Sequence, residues 1–116
     1  MDTPIVFVSR NRLKAGEAEA FERHYAESLA PVRAGKPGTV VQLGYGSSDG
    51  SEVTIIRVFP SADALDRQLR GAVERSKCAY AFIEPVGIEI YGTPHAGTVR
   101  LLRRIAGPGV TVRVHP

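Results

Sequence analysis

Ile5-Val6-Phe7-Val8 is a short, β-branched apolar run that gives way to polar Ser9-Arg10-Asn11-Arg12, the pattern of a strand running into a loop. Beyond Gly16, Ala18, Phe21, Tyr25, Leu29 and Val32 recur at spacings of three and four with acids on the other side, which predicts an amphipathic helix. Pro31 and the Gly35-Lys36-Pro37-Gly38 turn are expected to stop it. Thr39–Tyr45 and Glu52–Phe59 then read as a β-hairpin around Gly46-Ser47-Ser48-Asp49-Gly50-Ser51. Ser61 is a natural N-cap for a second helix. On that helix Ala62, Leu65, Leu69, Ala72, Val73, Ser76, Ala79, Tyr80 and Ile83 share one face, with Gly71 a possible break and Pro85 its end. Val86–Tyr91 alternates as a fourth strand.

The remainder repeats the scheme once more. Thr93-Pro94 suits a helix start, Val99, Leu102, Ile105 and Ala106 form its apolar face, and Gly107-Pro108-Gly109 closes it. Val110, Val112 and Val114 then alternate with Thr111, Arg113 and His115 as a half-buried strand. The predicted order is βαββαβ followed by αβ. That is an α+β, ferredoxin-like antiparallel sheet over residues 1–92, with 93–116 as a helix–strand extension of the same domain.

The strands carry an excess of apolar residues for this architecture. Two helices cover one face of such a sheet, and the other should then be polar. Here Ile5/Phe7 oppose Val6/Val8, and Val53/Ile55/Phe59 oppose Ile56/Val58, so both faces require cover. The terminal unit offers part of it; a second copy packed sheet to sheet is the simpler answer, and a homodimer is expected.

The length of 116 residues fits one domain, and 43% hydrophobic content is enough for a core without staples. The lone Cys78 excludes an intrachain disulfide framework, no apolar run reaches membrane-span length, and Met1-Asp2-Thr3-Pro4 lacks a basic n-region. Together these point to a cytoplasmic protein without membrane association. The net charge of +3 is uneven: residues 1–89 hold 11 Lys/Arg against 12 Asp/Glu, and residues 90–116 add Arg100, Arg103, Arg104 and Arg113 with no acid.

The turns and strand starts resemble a known group. Ser9-Arg10-Asn11-Arg12-Leu13-Lys14-Ala15-Gly16, the helix with Phe21 and Tyr25, Lys36-Pro37-Gly38, and Val58-Phe59-Pro60-Ser61-Ala62-Asp63-Ala64-Leu65 are similar to the antibiotic-biosynthesis-monooxygenase-like (ABM) domains. These belong to the dimeric α/β-barrel superfamily. The resemblance spans about residues 4–92 and implies a dimeric α/β barrel with a pocket between sheet and helices. Such domains include small oxygenases that oxidise quinols or phenols without metal or flavin, and haem-degrading enzymes. The chain has no tryptophan, and Leu65-Asp66-Arg67-Gln68-Leu69-Arg70 offers no histidine as an axial ligand, which argues against haem. No cofactor is expected.

Cofactor-free oxygenation needs a base, donors for a developing anion and an apolar cavity. His24, the only histidine of the first 92 residues, is the candidate base or, from its place at the edge of the apolar stripe, a partly exposed structural histidine, and Asn11, after the first strand, a candidate oxyanion donor or a turn residue. Phe21, Tyr25, Arg57 and Tyr80 are the candidate substrate contacts, although buried tyrosines more often fill core, and Arg57, like Glu89, also reads as an ion-pair or dimer contact. Cys78 has only Lys77 as an activating neighbour and reads as a passive thiol. His95 and His115 lack ligand spacing, so no metal site is expected. Gly44-Tyr45-Gly46 precedes a strand and is no dinucleotide fingerprint. Three functional readings follow: a cofactor-independent monooxygenase of a small aromatic, a non-catalytic ligand-binding or structural homodimer, and nucleic-acid binding through the Arg100/Arg103/Arg104 face. The last is the weakest; ferredoxin-like domains also include RNA-binding modules, but the Glu52–Phe59 strand lacks the Gly/aromatic pattern those use for base stacking.

Overall fold

A computed structural model describes residues 3–35, 41–69 and 81–116. Five strands, β1 (Ile5–Leu13), β2 (Val41–Gly46), β3 (Glu52–Phe59), β4 (Ile83–Tyr91) and β5 (Thr111–His115), form one sheet in the order β2-β3-β1-β4-β5. β1 lies antiparallel between β3 and β4, β2 pairs antiparallel with β3, and β5 runs parallel to β4. The first four strands have the expected ferredoxin-like arrangement. The extension adds a β4–helix–β5 crossover, the connection that parallel strands require. The described helices are α1 (Ala18–Gly35), α2 (Ala62–Leu69) and α3 (Ala96–Ala106), none long and apolar enough to cross a membrane.

The pleat sorts the sheet into two unlike faces. Ile5, Phe7, Phe59, Ile88, Ile90 and Val112 point to one side, where Ala64 and Leu65 of α2 and Leu102 and Ala106 of α3 close a buried core over them. A second cluster, Phe21 of α1 with Ile55 and Ile83, fills the other end of the same face. All three described helices thus lie on one side. The opposite face carries Val6, Val8, Ile56, Val58, Leu43, Tyr45 and Tyr91, half-buried or exposed within the chain. The terminal unit therefore widens the sheet and thickens the helical layer; it does not cover the second face, contrary to the expectation that it would supply part of that cover.

Several boundaries differ from the sequence reading. β1 does not stop at Val8 but continues through Leu13, because its polar half is paired on both sides, with β3 and with β4. α1 continues through Pro31 to Gly35, at the loss of one i→i−4 hydrogen bond. The second helix is described over Ala62–Leu69, and Ile83 and Pro85, assigned by periodicity to its far end, belong to β4. Pro85 is tolerated there because the β1–β4 register slips between Arg10 and Asn11, leaving Val86 extra at a bulge. His95, not Thr93, is the residue preceding α3, and its carbonyl accepts from the Thr98 and Val99 amides. Ser61 caps α2 as expected, its Oγ accepting the Ala64 amide at 3.1 Å. The Lys36-Pro37-Gly38 turn, Gly71, Cys78 and Tyr80 lie outside the described residues.

Candidate functional site

Several of the residues that the sequence singled out meet where α1 packs on the sheet. Phe21 and Tyr25 lie one turn apart on α1, so both reach the sheet, their rings stacked at 6.0 Å between centroids. Phe21 is buried against Ile55 and Ile83, and Tyr25 packs at the margin of that cluster with Leu13, Val53 and Phe82. The Tyr25 ring lies directly over β2: a β-carbon on Gly44 would come within 3.2 Å of both Cε1 and Oη. Glycine at position 44 is what allows the aromatic ring to reach that strand.

Asn11 is not in a loop, as the turn reading had it, but within β1, and it is 3% exposed. Its Nδ2 donates to the Ser9 hydroxyl at 3.0 Å and the Ser9 carbonyl at 3.3 Å, so two adjacent polar side chains of one strand satisfy each other. Asn11 stands opposite Val53, on the face that α1 covers. Arg57 lies two and four residues from Ile55 and Val53, hence on that same face, opposite Phe7 on β1 and Gln42 on β2, and its Nε is buried. Asn11, Tyr25 and Arg57 therefore share one side of the sheet.

His24 is turned differently. It follows Phe21 by three positions, is half-buried, and its ring packs on Phe82 at 5.3 Å and 41°. It flanks the aromatic cluster on the β4 side, whereas Tyr25 covers the β2 side. Glu89, the other charge singled out, faces away from the helices and is paired: Arg10 Nη2 lies 2.9 Å from it, and Tyr91 donates its hydroxyl to Oε2 at 3.0 Å. That hydrogen bond, and the carboxylate charge behind it, hold the Tyr91 phenol above its usual range. His115 stacks on Tyr91 at 4.7 Å. Arg100, Arg103 and Arg104 are exposed along α3.

A cavity of about 300 Å³ lies elsewhere, between α2 and α3, lined by Asp66, Leu69, His95, Gly97, Thr98 and Leu101. At its rim His95 Nε2 lies 2.9 Å from Asp63 Oδ1 and 3.7 Å from Asp66 Oδ2, and the Thr98 hydroxyl donates to Asp66 Oδ1. The hydrogen bond to Asp63, and then the Asp66 charge, raise the His95 pKa. Sequence reasoning missed this group because it asked only whether histidines were spaced as ligands. The Asp63-x-x-Asp66 pair, one turn apart on a helix, was the available signal; the approach of His95 from 32 residues away was not legible.

No protein-family model and no curated protein matches the chain in sequence. Solved structures do match in fold. MupZ from Pseudomonas fluorescens is 17% identical, with a TM-score of 0.75 over 100% of this chain and 88% of that one. SnoaB, a cofactor-independent oxygenase from Streptomyces nogalater, is 21% identical, with a TM-score of 0.66 over 83% of this chain and 97% of that one. A Caulobacter crescentus CB15 protein named as a candidate antibiotic biosynthesis monooxygenase is 21% identical, with a TM-score of 0.63 over 81% and 92%. With its ferredoxin-like strand order and helices on a single face, the chain carries the fold of the ABM-like proteins.

Proposed function

We propose that this chain is a cofactor-independent monooxygenase of a small aromatic substrate, a quinol or phenol, bound between α1 and the helix-facing side of the sheet. The observation that supports the reading is that Asn11, Tyr25 and Arg57 lie on the same face of the sheet as the apolar Phe21, Ile55 and Val53, in a fold shared with the oxygenase SnoaB. The apolar walls hold an aromatic ring, and the polar groups orient its oxygens. His24 is the base that removes a proton, and the Arg57 guanidinium stabilises the anion that forms. The substrate anion supplies the electrons that reduce oxygen. Overall the substrate loses two hydrogens, one from a ring carbon and one from a hydroxyl; that carbon gains one oxygen atom as a carbonyl, and the second oxygen leaves as water. Phe21 and Tyr25 position the ring, and Asn11 supplies a donor once its amide is drawn from Ser9.

The active form in this reading is a homodimer joined through the helix-free face, whose Leu43, Tyr45 and Tyr91 are 43%, 56% and 43% exposed in the single chain. One observation favours the alternative, a non-catalytic dimer: the Asn11 amide is already satisfied by Ser9. Oxygen uptake with a panel of quinols and phenols separates the two. Uptake by the wild-type chain that falls at least about tenfold in His24→Ala supports the oxygenase. No uptake with any substrate, together with a ligand-dependent rise in melting temperature, supports the binding protein.

A further inference from the structure

We propose that Asp63, Asp66 and His95 form a binding site for a divalent first-row transition-metal cation of the zinc type, opening onto the α2–α3 cavity. The site is separate from the substrate site proposed beneath α1, and its occupancy does not depend on that reading.

The donor set is mixed, two carboxylate oxygens and one imidazole nitrogen, which suits a borderline cation better than calcium or magnesium. One ligating atom from each of the three side chains lies within 4.8 Å of the others. Tetrahedral ligands at about 2.0–2.2 Å from a common centre lie about 3.3–3.6 Å apart, so the widest separation must close by roughly 1.2–1.5 Å, a movement that falls to the exposed Asp63 side chain. Two elements far apart in sequence contribute, so the arrangement is a product of the fold and not of local helix periodicity. It is also oriented. Thr98, 6% exposed, donates to Asp66 Oδ1, which leaves Oδ2 as the atom turned toward His95 Nε2. A buried hydroxyl fixing a ligating carboxylate is the usual support of a metal ligand.

The surroundings complete the case. Three protein ligands leave at least one coordination position open, and the cavity of about 300 Å³ is lined by Asp66 and His95 themselves. Of its other walls, Leu69, Leu101 and Gly97 are apolar or bare backbone, and the Thr98 hydroxyl is engaged on Asp66. Water or a small anionic ligand at the open position would therefore meet little competition from the walls. The cation would replace the proton that His95 now shares with Asp63, tying α2 to α3 through bonds to both elements.

The test is isothermal titration of zinc chloride into the untagged full-length chain after metal stripping, in a non-coordinating buffer. One zinc per chain is expected. His95→Gln and Asp66→Asn should each weaken binding by about 100-fold or more, Thr98→Val by about tenfold, and His115→Gln not at all. Cobalt titration provides a second readout on the unmodified protein: a visible d–d band of low-coordinate cobalt is expected, and it should be lost in His95→Gln. Binding that survives both ligand substitutions, a wild-type chain that takes up no zinc, or cobalt that shows no such band overturns the site. Circular dichroism of the metal-free variants separates lost ligation from lost fold.

Discussion

At the scale of single residues, the clearest electrostatic statement concerns Asp49 in the β2–β3 turn. Its Oδ1 accepts from the Ser51 hydroxyl at 2.6 Å, the Ser47 hydroxyl at 2.7 Å and the Ser51 amide at 3.0 Å. Each bond favours the carboxylate, the Ser51 hydroxyl most and Ser47 next, and together they lower its pKa from 3.8 to about 2. The turn is thus stabilised in full above pH 3.8, and that stabilisation is lost as pH falls through about 2. Carboxyl NMR of the folded chain should show Asp49 titrating near 2, and Ser51→Ala should move the midpoint back toward the ordinary value. Gly44 bears on the candidate pocket. A side chain there meets the Tyr25 ring at 3.2–3.3 Å, so Gly44→Val must displace Tyr25 or distort β2. A loss of about 1–3 kcal/mol in urea unfolding is expected. If Tyr25 contacts substrate, KM should rise in the same variant more than kcat falls. An unchanged urea midpoint would show that Tyr25 is not held against the strand.

Elements were legible wherever hydrophobic period and local chemistry agreed. β3 and the Ser61 cap are found where alternation and capping chemistry placed them, and β2, described from Val41, ends one residue beyond its expected Tyr45 limit. The order βαββαβ–αβ followed from counting such segments. What was not legible depended on partners. Ser9-Arg10-Asn11-Arg12 reads as loop in isolation and is strand because Arg10 meets Glu89, Arg12 lies near Glu84, and Asn11 is satisfied by Ser9. Ile83 fits a helical period as well as it fits β4, and only pairing with Leu13 decides between them. The candidate pocket was legible as a list of residues but not as an arrangement, since helix spacing shows that His24 and Tyr25 diverge without showing that one meets Phe82 and the other β2. The extension is an integral element rather than an appendage: Leu102 of α3 packs in one cluster with Ile88, Ile90 and Val112. Leu102→Ala should therefore cost about 2–5 kcal/mol in urea unfolding, as for any core leucine. A cost below about 1 kcal/mol would mean that the crossover is only loosely attached.

For the whole molecule, the decisive asymmetry is that all three described helices cover one side of the sheet. The other side is not uniform. Toward β4 and β5 it is polar but internally satisfied, with Glu89 shared among Arg10, Tyr91 and His115. Toward β2 and β3 it is apolar, and Ile56 stands at its middle, between Val8 on β1 and Leu43 on β2. Such a surface suits association: an apolar half can supply the free energy, while Glu89, Arg10 and Tyr91, which already have partners, can be covered at modest cost or fix the register of a second copy. A stable interface of this kind buries roughly 800 Å² on each partner, which a five-stranded face can provide. Because Ile56 points away from the helices and is only half-buried, an acid there should leave the folded chain intact while placing an unpaired charge in the contact. Light scattering on the eluting peak should give the wild type twice the chain mass of 12.5 kDa, and Ile56→Asp a single mass with an unchanged far-ultraviolet spectrum. A wild type that elutes at the single mass at micromolar concentration would leave the apolar half of the sheet facing water, and the homodimer would have to be abandoned.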